Sequence, residues 1–325
     1  MRTVLVTGGS GFIGANLARK LLSSGFQVHL LLRSGFTTWR LTEILDHIII
    51  HEVDLEDDQK ILNTVQQIKP DWVFHLATSG AYSWQNNIHQ IINTNIYGTI
   101  NLLDASLQAG CEVFINTGSS SEYGKKSHAP NETEWIDPNS YYAISKAFGT
   151  QYCRHISMSQ KRNIYTLRLY SVYGPFEDPN RFIPTLIVNA FEKRLPPLVS
   201  PKIARDFIYV DDVVDAYLRL ASSTDIEFGS VYNVGSGRQT TIDTVVQLSK
   251  QFFEINQEPE WGTFDNRSWD TSIWQADIQR IQNALEWHPK HDLEQGFAKT
   301  VDWFKANPKI LNYYQIEIRN RTAAS

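Results

Sequence analysis

The chain has 325 residues, of which 42% are hydrophobic and 20% charged, enough apolar side chains for one large core or two modest ones and too many for a disordered polymer. A formal net charge of -5 at pH 7 and a pI near 6.0 exclude a general attraction to nucleic acid or anionic lipid, so phosphate on a ligand must be met by local basic residues. Cys111 and Cys153 form no close pair, no histidine and carboxylate spacing suggests a metal, and the N-terminal apolar run is neither a signal peptide nor a membrane span; the expectation is a cytoplasmic protein.

From Thr3 to about Arg168, short β-branched runs alternate with longer helical patterns. That rhythm predicts an α/β fold of Rossmann type, a doubly wound parallel sheet with crossover helices. Strands are expected at Thr3–Thr7, Gln27–Leu32, Ile48–Val53, Trp72–Leu76, Val113–Thr117 and Ile164–Leu169, all short and apolar as strands covered on both faces should be. The longest helical patterns, Ile88–Gln108 and Tyr141–Gln160, keep apolar residues on one face at a period near 3.6. After Tyr173-Gly174-Pro175 the pattern loosens around Pro184, Pro196, Pro197 and Pro201. We therefore expect a dinucleotide-binding domain over residues 1–173 and a smaller C-terminal substrate-binding lobe over 174–325, with segments at about 205–240 returning to the first domain. Val231–Val234 is the strand expected to return. A last helix is expected over about Leu293–Ala306, followed by a tail through Ser325 without readable chemistry.

Thr7-Gly8-Gly9-Ser10-Gly11-Phe12-Ile13-Gly14 follows the first strand directly and opens a helix, the setting in which a glycine pattern marks a dinucleotide site. Gly8 and Gly9 allow the tight turn, Gly11 lets the backbone approach a pyrophosphate, and Gly14 lets helix and strand pack closely. The second strand ends in Leu32-Arg33-Ser34, without the carboxylate that would hold the ribose hydroxyls of NAD. Arg33 and a neighbouring hydroxyl suit the 2′-phosphate of NADP(H), which is favoured here, with NAD(H) as the alternative. Asp54 and Leu55, just after the third strand, are placed to meet the adenine.

Tyr142 and Lys146, four residues apart at the start of a helical pattern, project from one face. A neighbouring ammonium stabilises a phenolate and brings a tyrosine toward the range where it can exchange protons. Gly118-Ser119-Ser120-Ser121 follows the fifth strand, at the carboxyl edge where open α/β sheets bind ligands. Asn95 is a mid-helix asparagine expected to organise a water or a bent backbone, or else to be a plain exposed residue.

Together, Thr7 to Gly14, His75-Leu76-Ala77, Asn95 with Gly98-Thr99, Ser119 to Gly124, Tyr142 with Lys146, and Tyr173-Gly174-Pro175 resemble the extended short-chain dehydrogenase/reductase family over nearly the whole chain. The resemblance implies that Ser119 polarises the reacting oxygen, Tyr142 transfers its proton, and Lys146 also binds the nicotinamide ribose. It further implies cofactor contacts from Ser10, Phe12, Ile13, Leu76, Ala77, Asn95, Thr117 and Tyr170. On the substrate side it points to Thr78, Ser79, Ser120, Ser121, Ser171, Arg181 and Tyr209, with Arg205 and Arg267 gripping the diphosphate of a nucleotide sugar. Arg267 with Asp270, and the run Arg205 to Asp212, resemble segments that line such a pocket. The family's 4,6-dehydratases carry an Asp-Glu pair where this chain has Ser120 and Ser121, so dehydration is not expected. Ser171 stands where many epimerases have asparagine. The segments Gly118 to Gly124, Arg205 to Asp212 and Phe264 to Arg267 look most similar to nucleotide-sugar 4-ketoreductases such as the CDP-abequose and GDP-deoxyhexose branches. The expected reaction is reduction of a nucleotide-linked 4-keto-6-deoxysugar, with a 4-epimerase holding NAD tightly as the alternative and a non-catalytic nicotinamide sensor as a reading from another class. Family resemblance also implies a homodimer paired through the two long helices.

Overall fold

The computed structural model describes residues 1–82, 84–264 and 273–324, with side chains of the last helix through Asn320. Seven parallel strands form the central sheet, in the order β10-β6-β5-β4-β1-β2-β3. They are β1 (Thr3–Thr7), β2 (Gln27–Leu32), β3 (Ile49–Glu52), β4 (Trp72–His75), β5 (Val113–Ser119), β6 (Ile164–Leu169) and, after three short strands β7 (Ser171–Tyr173), β8 (Ala204–Arg205) and β9 (Phe207–Tyr209), the returning β10 (Val231–Val234). A two-residue β11 (Thr240–Thr241) pairs with β8, and β7 pairs with β9, outside that sheet. The expected strands are therefore present within one or two residues at each end.

The two-residue period of a strand sorts the side chains to opposite faces. Val4, Val28, Leu30, Trp72, Phe74 and Ile115 enter one core, while Leu5, Leu31, Val73 and Phe114 enter another on the far side. Helices α1 (Phe12–Ser23), α7 (Val210–Ser222) and α9 (Gln279–Leu285) cover the first face, and α2 (Asp58–Ile68), α4 (Gly98–Gln108) and α5 (Tyr141–Gln160) the second. A third core, in the lobe, is built by α6 (Phe182–Phe191), α8 (Ile242–Phe253), α10 (Leu293–Ala306) and α11 (Pro308–Ala324) around Leu186, Val245, Phe297 and Tyr314.

One expectation is refined and one corrected. The pattern Ile88–Gln108 is helical throughout, but not α-helical throughout: α3 (Ile88–Ile92) passes through a wider π-turn at Asn93–Tyr97 before α4 begins. The C-terminal stretch after Ala306 is not a featureless tail but α11, with Pro308 at its first position, where a missing N–H costs nothing.

Candidate active site

The strand order reverses between β1 and β4, and a cleft of about 1290 Å³ opens at the carboxyl ends of the strands there, as expected of doubly wound sheets. On its floor lies the glycine turn. Gly8 has φ +69°, and a Cβ on it would stand 2.6 Å from the Ala77 nitrogen; a Cβ on Gly14 would stand 2.3 Å from the Gly8 carbonyl oxygen. Gly11 N–H donates to that carbonyl at 2.9 Å, and Gly11 caps α1 without any side-chain acceptor, so the first N–H groups of the helix face the cleft uncapped. A turn in which side chains do not fit, leading into an open helix N-terminus, suits a pyrophosphate. Ser10, Phe12 and Ile13 line the same region, as do Leu76, Ala77, Asp54 and Leu55. Arg33 lines the cleft at the end of β2, beside Ser34, whose hydroxyl donates to Glu52 of the adjacent β3.

The three residues expected to be catalytic gather where β5, α5 and the cleft meet. Ser119, Tyr142 and Lys146 all line the cleft, and the Ser119 Oγ accepts from the Ser121 N–H at 3.2 Å. Burial pushes the Tyr142 phenol above its ordinary value, while the Ser119 side chain and the Arg181 guanidinium pull it back. Burial brings the Lys146 ammonium down to about 8, and its Nζ donates to the Thr117 carbonyl at 2.9 Å.

Beneath the trio sits a buried ion pair that the motifs did not point to. Glu122 follows Ser119 in a capping-box turn, and its Oε1 accepts from the Ser119 N–H at 2.8 Å and from the Thr150 hydroxyl at 3.0 Å. Its Oε2 pairs with Arg168 Nε at 2.8 Å, and both side chains are essentially inaccessible, at 0% and 2% exposure. Gly118 leaves the room for this carboxylate, since a Cβ there would lie 2.6 Å from Oε1. Arg168 also donates to the Tyr123 hydroxyl at 2.9 Å, which donates on to Asn233 at 2.8 Å. The S-x-x-E spacing of a capping box was the signal for Glu122 in the sequence.

Among the expected substrate residues, Thr78, Ser79, Ser120, Ser121, Ser171, Arg181 and Arg205 line the cleft, as do Thr117 and Tyr170 of the expected cofactor set. Arg181 Nη2 donates to the Ala81 carbonyl at 2.9 Å and lies over the Tyr82 ring at 4.6 Å. Two of the expected contact residues are not among those that line the cleft. Asn95 does not face it: it is buried in the π-turn, where its Oδ1 accepts from the Ser79 N–H and its Nδ2 donates to the Ser79 carbonyl, both at 2.8 Å, so it organises a bent backbone, one of the roles expected of it, and shapes the 78–79 segment from behind. Tyr209 does not face it either, because it belongs to the lobe core against Tyr173 and His291, with ring centroids 5.8 and 4.9 Å away. Of its run, Arg205 and Phe207 reach the cleft, whereas Asp206 and Asp212 are buried anchors accepting backbone N–H groups of Ser236, Gly237, Ala276, Lys290 and His291. Arg267 and Asp270 lie outside the described residues. Trp84 and Trp135 are both exposed; Trp84 stacks on Tyr82 at 4.6 Å. Ile318, from α11, joins the cleft wall without any forewarning.

A nucleotide-type turn at the switch point of a parallel sheet, with a serine, tyrosine and lysine at its edge, defines an extended short-chain dehydrogenase/reductase. The sequence profile of the NAD dependent epimerase/dehydratase family matches residues 4–235, and the chain belongs to that family. It is 31% identical to the UDP-glucose 4-epimerase of Mycolicibacterium smegmatis, over 94% of this chain and 99% of that one. It is 27% identical to the dTDP-glucose 4,6-dehydratase of Xanthomonas campestris pv. campestris, over 94% of each chain. The solved UDP-glucuronic acid 4-epimerase of Bacillus cereus, in complex with UDP-glucuronic acid and NAD, superposes with a TM-score of 0.82 at 26% identity, covering 94% of this chain and 99% of that one. Among the described residues, no helix is long and apolar enough to cross a membrane, and no group of three or more His, Cys, Asp or Glu side chains could hold a metal ion.

Proposed function

We propose that this enzyme reduces carbon 4 of a nucleotide-linked 4-keto-6-deoxysugar, and that Ser119, Tyr142 and Lys146 are its catalytic residues. The observation that carries the choice of reaction is the chemistry available after Ser119. Ser120 and Ser121 line the cleft where dehydration would need an acid pair, and Glu122, the nearest carboxylate in sequence, is turned into the protein and consumed by Arg168. No step of water elimination has an acid to serve it at those positions.

When bound, the dinucleotide supplies the hydride. The chain's own residues manage the oxygen that becomes an alkoxide. Tyr142 gives it the phenolic proton, and Ser119, which lines the cleft with it, stabilises the charge developing on it. Lys146 spends one of its three donors on the Thr117 carbonyl and keeps the others for the ribose hydroxyls of the cofactor. Gly8, Ser10, Gly11 and Gly14 hold the pyrophosphate and Arg205 the diphosphate of the sugar nucleotide, a role assigned also to Arg267. Arg33 favours NADP(H) by offering a guanidinium to a 2′-phosphate. The Glu52 carboxylate one strand away, which takes the Ser34 hydroxyl, favours NAD(H) instead, as does the bound NAD of the Bacillus cereus neighbour. A 4-epimerase is the second reading, favoured by the Mycolicibacterium smegmatis relative.

Purified protein separates these readings. A reductase consumes NADPH or NADH stoichiometrically with a 4-keto-sugar nucleotide, and Tyr142→Phe lowers turnover about 10² to 10⁴-fold while leaving cofactor affinity in place. Cofactor that copurifies, with interconversion of UDP-sugars and no net nicotinamide change, would instead establish the epimerase. The assembly is proposed to be a homodimer, because the helices from Ile88 to Gln108 and Tyr141 to Gln160 leave Tyr97, Tyr141, Ile144 and Met158 exposed over half or more of their surface. A monomeric mass by light scattering at micromolar concentration overturns it.

A further inference from the structure

The family profile ends at residue 235, and α11 lies beyond it. Its side chains nevertheless reach the cleft. Tyr314 is fully buried, with Phe304 and Trp39 at ring distances of 5.0 and 5.8 Å, and its hydroxyl donates to the Glu177 carbonyl. Tyr313 meets the same Trp39 at 5.2 Å, which ties the helix to the dinucleotide-binding domain. Gln315 and Arg319 both bond Glu192, just past the end of α6. One turn after Tyr314, Ile318 forms part of the cleft wall.

The stretch that Tyr314 holds is fixed at three consecutive carbonyls from three separate parts of the chain. Asn16 of α1 donates to Pro175 at 2.9 Å, Arg40 Nε donates to Phe176 at 2.7 Å, and Tyr314 of α11 donates to Glu177. Phe176 itself has φ +69°, a conformation a bulky side chain adopts when its surroundings over-determine it. Immediately afterwards Glu177 and Arg181 line the cleft, and Arg181 is close enough to Tyr142 for its charge to act on the phenol. The clamp therefore sets side chains beside the reacting centre, and a helix outside the family profile supplies one of its three fastenings.

We propose that α11 is a built part of the substrate cleft: Tyr314 fixes the 175–181 segment that presents Glu177 and Arg181 to the sugar, and Ile318 limits the room on the lobe side. In this way α11 determines which nucleotide sugars are accepted. The inference rests on the nucleotide-sugar reading given above, and its test is arranged to fail separately from it.

Tyr314→Phe removes the hydroxyl and keeps the ring, so the protein should fold. Hydrogen-exchange mass spectrometry on it should then report peptides spanning 175–181 exchanging about fivefold faster, the effect of one lost bond, with the strands of the central sheet unchanged. Ile318→Trp should weaken calorimetric binding of UDP-glucose, or of whichever of dTDP-, GDP- and CDP-glucose the wild type binds, by about tenfold, while NADH and NADPH affinities stay at wild type. Unchanged exchange over 175–181 in the first variant, or wild-type sugar-nucleotide affinity in the second, overturns the role of α11. A wild-type protein that binds none of the four sugar nucleotides overturns the nucleotide-sugar reading, and the exchange measurement then decides the clamp.

Discussion

Replacing Glu122 should damage folding and catalysis in separable ways. In Glu122→Leu the Arg168 guanidinium, 2% exposed, is left without its counter-ion, and the Ser119 N–H and Thr150 hydroxyl lose their acceptor. Breaking a buried ion pair from one side costs about 3 to 5 kcal/mol, because the remaining charge stays desolvated. For a chain of this size that corresponds to a fall in melting temperature of roughly 5 to 7 °C. Arg168→Met strands the carboxylate instead and should cost about the same. The double variant Glu122→Leu, Arg168→Met leaves no buried charge at the pair, so its loss should fall well short of the sum of the singles, with a coupling of about 2 kcal/mol or more. Urea unfolding followed by tryptophan fluorescence and by far-UV circular dichroism, required to coincide, measures the cycle. Single losses under about 1 kcal/mol, or strictly additive ones, would refute the claim that this pair braces the site. A second readout concerns charge alone. The Glu122 carboxylate raises both Lys146 and Tyr142, so in Glu122→Gln both should titrate lower and the alkaline limb of the pH–rate profile should move to lower pH.

Gly14→Ala places a methyl group 2.3 Å from the Gly8 carbonyl oxygen, more than 1 Å inside ordinary contact. Fluorescence titration should show NADH and NADPH bound about 10 to 100-fold more weakly by a protein that still folds. His75, enclosed by the Thr7 and Thr99 hydroxyls, is pulled by burial from 6.5 to about 3. Its neutral form is the native one, so stability is complete above 6.5 and is lost as the pH falls from there toward about 3, by up to about 1.4 kcal/mol per pH unit. Urea midpoints at pH 7.5 and 5 should differ less in His75→Gln than in wild type, even if the variant is weaker at the higher pH.

The dinucleotide half of the molecule was legible because its strands, the edge strand β3 apart, are short apolar runs whose both faces are buried, so composition and length alone delimit them. Gln27–Leu32 and Ile164–Leu169 begin and end where that reasoning puts them. The glycine turn was legible for a similar reason, since steric demand there leaves no other residue type. The π-turn at Asn95 was not, because the apolar period runs on through it and one inserted residue does not break the pattern. Tyr209 misled because a strand alternates sides without saying which neighbour waits on each; its ring meets Tyr173 and His291, brought there by distant segments. Helix α11 left a signal in Asn307-Pro308, a helix opening, but its apolar face has no strong period and Tyr314 and Ile318 gain meaning only against the folded lobe.

These two halves place chemistry and selection under different physical control. Ser119 and Lys146 are held by backbone atoms of β5 and by the buried Glu122, Thr150 and Arg168 beneath them, a network that presents no side chain of its own to a ligand. The opposite wall is assembled from residues 78–82 and 85–86, the 177–185 segment, the 196–207 stretch and α11, which come together only through long-range contacts. Perturbing the first network changes how the proton is held for every substrate, and so should appear in kcat. Perturbing the second changes the shape and polarity that a sugar nucleotide meets before any proton moves, and so should appear in KM and in the order of preference among sugars. A chain built this way can change its substrate by altering loops and a C-terminal helix while the acid, the hydroxyl and the ammonium remain where the sheet edge puts them.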